Sequence, residues 1–159
     1  MLTTILPGTI LGPLRDRHAA YSVQAVSQLL AGTAPGIPRL GYSFVDVRDV
    51  ADAHIAAMLA QAAGGRRFLA AGEFLWLSEI AGMLRAELGP AAEKVPTRTL
   101  PTPLVRLAAL GNPSLRQLRG DLGRRSEFDA TAAHSILDFA ARPIRQTVLA
   151  CANSVLAAR

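Results

Sequence analysis

The sequence predicts an α/β protein in which a few short, buried strands carry a larger helical portion. Three stretches support that reading. Leu2–Leu6 is a short apolar run with two threonines and no alternation, the pattern of a strand covered on both faces of a parallel sheet. Tyr42–Val45 is aromatic and β-branched, as strands are, and Asp46 stands where it can cap the helical pattern that follows. Leu77, Ile80, Ala81, Leu84 and Leu88 recur at helical spacing until Gly89-Pro90 stops them.

The remaining elements follow in chain order. The first strand ends at Pro7-Gly8, which reads by itself as a tight turn and also suits a close backbone approach to a ligand. Ser22–Leu30 carries Val23, Val26, Leu29 and Leu30 on one helical face, with Gly32 as its stop. Thr33–Gly41 holds two prolines and two glycines and reads as a loop. The helix after Asp46 presents Val47, Val50, Ala51, His54, Ile55, Met58 and Leu59 as an apolar stripe, with Arg48, Asp49 and Asp52 largely between them. Asp49, three positions after Asp46, places a second carboxylate in its first turn. Gly64-Gly65 turns the chain into a strand over Arg66–Ala71, which Gly72-Glu73 ends.

Trp76 occupies the cap position of the helix Leu77–Leu88, and Glu79 stands three residues on. Lys94–Pro103 is an extended, proline-bounded connector, and Pro103–Leu110 and Ser114–Leu122 read as short helices. Asp129 caps a helix from Ala130, and Pro143 opens a terminal amphipathic helix over Ile144–Leu156. No internal repeat or interdomain linker interrupts residues 1–159, which read as a single domain.

Composition narrows the function classes. Half of the 159 residues are apolar and 18% are charged, which excludes a disordered tail. The net charge of +5 is almost entirely arginine, since Lys94 is the sole lysine. A loose concentration runs through Arg106, Arg116, Arg119, Arg124 and Arg125 without interleaved aromatics, which fits a solvated helical surface better than a nucleic-acid interface. Cys151 lies in a helical pattern and reads as a small buried apolar residue. The N-terminal MLTTILPGTILGPL has no basic start and is broken by Pro7-Gly8 and Gly12-Pro13, so it is neither a signal peptide nor a span, and a cytoplasmic location is expected.

FVDVRDVADAHIAAM (residues 44–58), with PGTILGP before it and GGRRFLAAGE after it, resembles the C-terminal half of extended short-chain dehydrogenase/reductases. The nearest branch is the dihydroflavonol-reductase and NAD-dependent epimerase/dehydratase type, and the resemblance runs from Leu2 to the last helix. It implies the C-terminal, substrate-binding part of a Rossmann-type fold, with NAD or NADP as cofactor and a small molecule as substrate. Pro7, Gly8 and Thr9 would then line the nicotinamide end of the cofactor, mainly through backbone groups. Tyr42 and Phe44 would flank the substrate pocket, positions that core or edge-strand aromatics fill as readily. Relatives carry Leu-Gly-Phe where this chain has Leu137-Asp138-Phe139, which puts aspartate in a left-handed helix cap.

Catalysis in that family needs a glycine-rich turn for the cofactor pyrophosphate and a tyrosine four residues before a lysine. Neither is in this sequence. No glycines form GxGxxG or GxxGxxG between a strand and a helix; Tyr21 precedes Ala25, Tyr42 precedes Asp46, and Lys94 follows Pro90 at that spacing. His18, His54 and His134 are scattered, Asp49, Asp52 and His54 do not share a metal-binding face, and Ser22, Ser27 and Ser43 have no glycine elbow, so no catalytic or metal residue is assigned. Two functions remain: a substrate-binding portion inactive by itself, or a non-catalytic interaction module that kept the fold. The interior strand Leu2–Leu6 is expected to need a partner, either a dinucleotide-binding polypeptide or a second copy, without which the chain is only marginally folded.

Overall fold

The computed structural model describes residues 1–14 and 21–158; His18 lies outside them. Strand β1 (Thr4–Pro7) pairs in parallel with β5 (Arg67–Ala70), and β2 (Thr9–Leu11) pairs in parallel with β4 (Gly41–Asp46). β4 also pairs with β6 (Phe74–Trp76), antiparallel, in register from Gly41 opposite Trp76 to Ser43 opposite Phe74. Two residues each, β3 (Ile37–Pro38) and β7 (Thr99–Leu100), form a separate parallel pair inside the segments read as a loop and as an extended connector. Those two-residue bridges carry no strand pattern of their own and arise from tertiary contact, as does β6.

Helix α1 covers Tyr21–Ala31 and ends at Gly32, whose φ of 64° is the left-handed stop the sequence predicted. α2 (Val47–Leu59) and α3 (Leu77–Leu88) follow, then α4 (Thr102–Gly111), the short α5 (Pro113–Gln117), α6 (Thr131–Leu137) and α7 (Ile144–Ala157). Expected caps hold locally. Glu79 accepts a hydrogen bond from the Trp76 N–H at 2.7 Å and Asp138 is left-handed at φ 51°; Asp129 accepts from the Thr131 N–H at 2.9 Å but stands one residue before the N-cap of α6, Ala130, so that helix starts one position later than expected. Pro143 stands one residue before α7 rather than at its first position.

β4 has a core on each face because its successive side chains point opposite ways. Phe44 joins the larger cluster with α1, α3 and α7 residues such as Val26, Ile80, Leu84 and Val148, whereas Val45 joins Val50, Ala53, Phe68, Ala133 and Phe139. Helices therefore lie on both sides of the strands, the layering a parallel sheet requires. β1 lies at an edge: among the described residues its second side has no strand beside it, and Leu2 is 83% and Leu6 42% exposed, as an interior-type strand without its neighbours would be.

α2 corrects the predicted stripe. Its buried residues are Asp49, Val50 and Ala53, while Val47, Ile55, Met58 and Leu59 are exposed, the last two by 85% and 79%. The helix uses a small-residue face against the strands and α6, and large apolar side chains remain on another face. Helical periodicity located both sets but could not tell which one the rest of the chain covers.

Candidate functional site

Asp46, the last residue of β4, anchors a polar cluster beneath the strand ends. Its Oδ1 accepts from the Arg48 backbone N–H at 2.9 Å, which caps α2, and from Arg48 Nε at 2.8 Å. Its Oδ2 accepts from Arg48 Nη2 at 2.7 Å and from the buried Thr147 hydroxyl of α7 at 2.9 Å. Burial alone would raise its pKa, but the hydrogen bonds from the Arg48 side chain and backbone and from Thr147 outweigh it and lower it to about 2. The same carboxylate raises the pKa of Arg48.

Asp49 reaches the other way. It accepts from the Arg142 backbone N–H at 2.8 Å and pairs with the Arg142 guanidinium, which also lies 3.7 Å from Asp52. The two aspartates thus tie α2 and β4 to α7 and the segment entering it, across about a hundred residues of sequence. They are positioning groups with all their buried atoms satisfied. His54 donates from Nδ1 to the Val50 carbonyl at 2.7 Å, an ordinary intrahelical contact. No cluster of three or more metal-ligating side chains occurs among the described residues. Burial pushes the Cys151 thiol pKa up, which makes it a poor nucleophile.

Above this frame, where β1 gives way to β2, two cavities adjoin. The smaller, about 350 Å³, is lined by Pro7, Gly8, Thr9, Gly41, Tyr42, Ser43, Asp121, Arg124, Ser126 and Phe128. The larger, about 690 Å³, runs between α1, α4 and the 115–121 segment and includes Leu29, Leu40, Phe44, Leu104 and Val105. Thr9, Tyr42 and Asp121 line both. The structure therefore brings all five sequence-selected residues to this pair of cavities: Pro7, Gly8 and Thr9 at the smaller, Phe44 at the larger, and Tyr42 between them.

Local chemistry explains the arrangement. Gly8 is needed where β1 meets β4, because a Cβ there would stand 2.5 Å from the Ser43 carbonyl oxygen. Its N–H continues the β1–β5 ladder to the Ala70 carbonyl at 3.0 Å. Tyr42 and Phe44, two positions apart on β4 and so on one face of the strand, meet edge to face at 6.2 Å.

Sequence reasoning missed the 121–128 wall, which is irregular and carries no periodicity. Three contacts dock it. Ser43 donates to the Ser126 carbonyl at 3.2 Å, Gly123 N–H donates to the Arg39 carbonyl at 2.7 Å, and Arg125 lies 5.1 Å from the Phe74 ring centre. Asp121, Arg124, Ser126 and Phe128 reach the cavity rim as a result. The arginine concentration was the available signal, but spacing does not show which arginine faces a cavity.

Short parallel strands between helical layers place the chain in the α/β class, with a divided cavity at the strand ends. Comparisons with known proteins sharpen this. No protein-family model matches the chain. Cinnamoyl-CoA reductase 1 of Oryza sativa subsp. japonica is 36% identical over 89 residues, which are 56% of this chain and 26% of that protein. Yeast methylglyoxal/isovaleraldehyde reductase Gre2, solved with NADPH, superposes with a TM-score of 0.72 at 22% identity, covering 98% of this chain and 43% of its own. The UDP-glucuronic acid 4-epimerase of Bacillus cereus, solved with UDP-glucuronic acid and NAD, gives 0.68 at 15% identity, covering 98% of this chain and 45% of that one. These likenesses give the chain the fold of the matched part of those proteins and agree with its resemblance to the C-terminal half of extended short-chain dehydrogenase/reductases. It spans about a quarter of the curated relative's length and under half of these structures. Among the described residues, no helix is long and apolar enough to cross a membrane.

Proposed function

We propose that this chain is the substrate-binding portion of an NAD(P)-dependent reductase- or epimerase-type protein and works with a dinucleotide-binding polypeptide. The observation that carries the reading is the pair of adjoining cavities sharing Thr9, Tyr42 and Asp121. In this reading the smaller cavity takes the nicotinamide end of the cofactor against Pro7, Gly8 and Thr9. The larger takes the substrate beside Tyr42 and Phe44.

A cavity of about 350 Å³ suits one end of a dinucleotide and not the whole. The described residues fit that end through the backbone at Pro7–Thr9 and the hydroxyls of Ser43 and Ser126. When bound, a nicotinamide cofactor supplies the hydride. This chain's own residues orient the two ligands and exclude water from the space between them; the proton-transfer pair comes from the partner polypeptide. The open edge of β1 and the exposed Ile55, Met58 and Leu59 of α2 support a partner on that side, since α2 contacts β1.

The test is activity and cofactor binding by the pure chain. No oxidation or reduction of NADH, NADPH, NAD or NADP is expected with a panel of aldehydes, ketones and nucleotide sugars. Calorimetry is expected to give dissociation constants of roughly 1 mM or weaker, an interaction of about 4 kcal/mol or less. Reproducible turnover, or micromolar cofactor binding, would overturn the reading by revealing a complete site.

A further inference from the structure

Helix α4 is apolar on two opposite sides. Val105 and Ala109 are buried against the rest of the chain, whereas Leu104, Leu107 and Leu110 are 60%, 65% and 59% exposed. At the ordinary helical pitch the three leucines fall within an arc of about 120°, on the side away from Val105 and Ala109. Leu104 also lines the larger cavity, whereas Leu107 and Leu110 line neither. A helix apolar all round is one that something else covers.

The charge around that outer side is of one sign. From Lys94 to Gly120 the chain carries five cationic side chains, Lys94, Arg98, Arg106, Arg116 and Arg119, and no aspartate or glutamate. Those five match the net charge of the whole protein, +5. All are exposed, and none forms an ion pair among the described residues. Arg106 stands on α4 itself. Arg116 donates from Nη2 to the Leu110 carbonyl at 3.1 Å, which holds a guanidinium beside the last of the leucines.

We propose that the outer side of α4, with the cations around it, docks the chain on an anionic lipid membrane, where it lies at the surface without crossing. The leucines enter the headgroup region, and the arginine stems let their heads stay level with the lipid phosphates. Two features favour a bilayer over a protein or a nucleic acid. The leucines project instead of lining a groove, so a soft surface receives them without a matching pocket. The cations are spread over the connector, α4, α5 and the 118–120 turn, which suits the diffuse charge of a lipid leaflet. Nucleic acid would engage the arginines but not the leucines, and no aromatic residue stands between Lys94 and Gly120 to stack on a base. The proposal is independent of what the cavities bind.

Flotation of the full chain with lipid vesicles tests this, because it separates bound protein from self-associated protein. Vesicles of phosphatidylcholine with roughly 30% phosphatidylglycerol are expected to bind at least about tenfold more strongly than phosphatidylcholine alone. Most of that binding should be lost at roughly 0.5 M salt. Arg106→Gln with Arg119→Gln should weaken it about thirtyfold, each cation near the surface being worth about a factor of five. Leu107→Gln with Leu110→Gln should weaken it at least about tenfold, and neither double variant should change the melting temperature. Ile55→Gln with Met58→Gln, on the exposed side of α2, should bind vesicles as the native chain does.

Equal binding to both vesicle types, or to neither, would overturn the proposal, as would an arginine variant of undiminished affinity. Full affinity in the leucine variant would remove α4 from the contact, and loss in the α2 variant would move the contact there. A native chain that never floats, but whose self-association disappears in the leucine variant, would make α4 an interface between copies instead. Displacement from vesicles by duplex DNA, with the leucine variant binding that DNA as tightly as the native chain, would assign the arginines to nucleic acid.

Discussion

The two sides of α2 are built on opposite principles. Toward the strands and α7, two buried carboxylates hold Arg48, Thr147 and Arg142 in place, and Val50 and Ala53 close the packing behind them. On another side Ile55, Met58 and Leu59 stand in the open, beside a β1 whose second edge has no described neighbour. Large apolar residues are thus exposed while charged ones are buried, the reverse of the usual distribution. Stability of this portion by itself rests on a polar clamp plus small residues, whereas the exposed face contributes only when something covers it.

Breaking the clamp is expected to have the largest effect. Asp46→Ala removes the α2 cap, strands the buried Thr147 hydroxyl and frees Arg48; a loss of about 3 to 4 kcal/mol is expected from urea unfolding. Asp46→Asn keeps an acceptor for the cap and should lose about half as much. Equal losses for the two variants would show that charge, and not the cap, dominates.

Acid tests the same carboxylate without mutation. Its folded pKa of about 2 lies below the ordinary value of 3.8, so its contribution is fully present above pH ~4 and is lost as pH falls through about 2. The shift corresponds to about 2 kcal/mol. Unfolding free energies measured from pH 5 to 2 should fall by that amount more in the native chain than in Asp46→Asn. Parallel curves for the two proteins would remove Asp46 from the acid response.

The exposed face should give the smallest change in folding and a clear change in association. Met58→Gln with Ile55→Gln is expected to alter unfolding free energy by about 0.5 kcal/mol or less, because both side chains are already in water. Light scattering and melts over a concentration series should show self-association in the native chain and less in the double variant. A strictly monomeric native chain with a concentration-independent melt would mean that the face needs no cover.

How much was legible in advance follows from the range of each interaction. Residues that act on near neighbours were readable. Asp46 as a cap, Gly32 as a stop, Glu79 bonding back to Trp76 and Asp138 in the left-handed region all involve partners within a few positions. The family likeness, carried by the contiguous PGTILGP and FVDVRD stretches, brought with it the grouping of Pro7, Gly8, Thr9, Tyr42 and Phe44.

Tertiary structure alone decided the rest. β6 and the β3–β7 pair are too short to show a pattern and exist through the partner they meet. Asp49 looked like a first-turn carboxylate of α2, yet it binds Arg142, ninety-three residues away. Asp121 and Arg124 became cavity residues because their loop is docked through Ser43, Arg39 and Phe74. Periodicity states that a helix has an apolar side; which of two apolar sides is buried depends on the surfaces that fold against it, and in α2 the smaller side chains gave the closer fit.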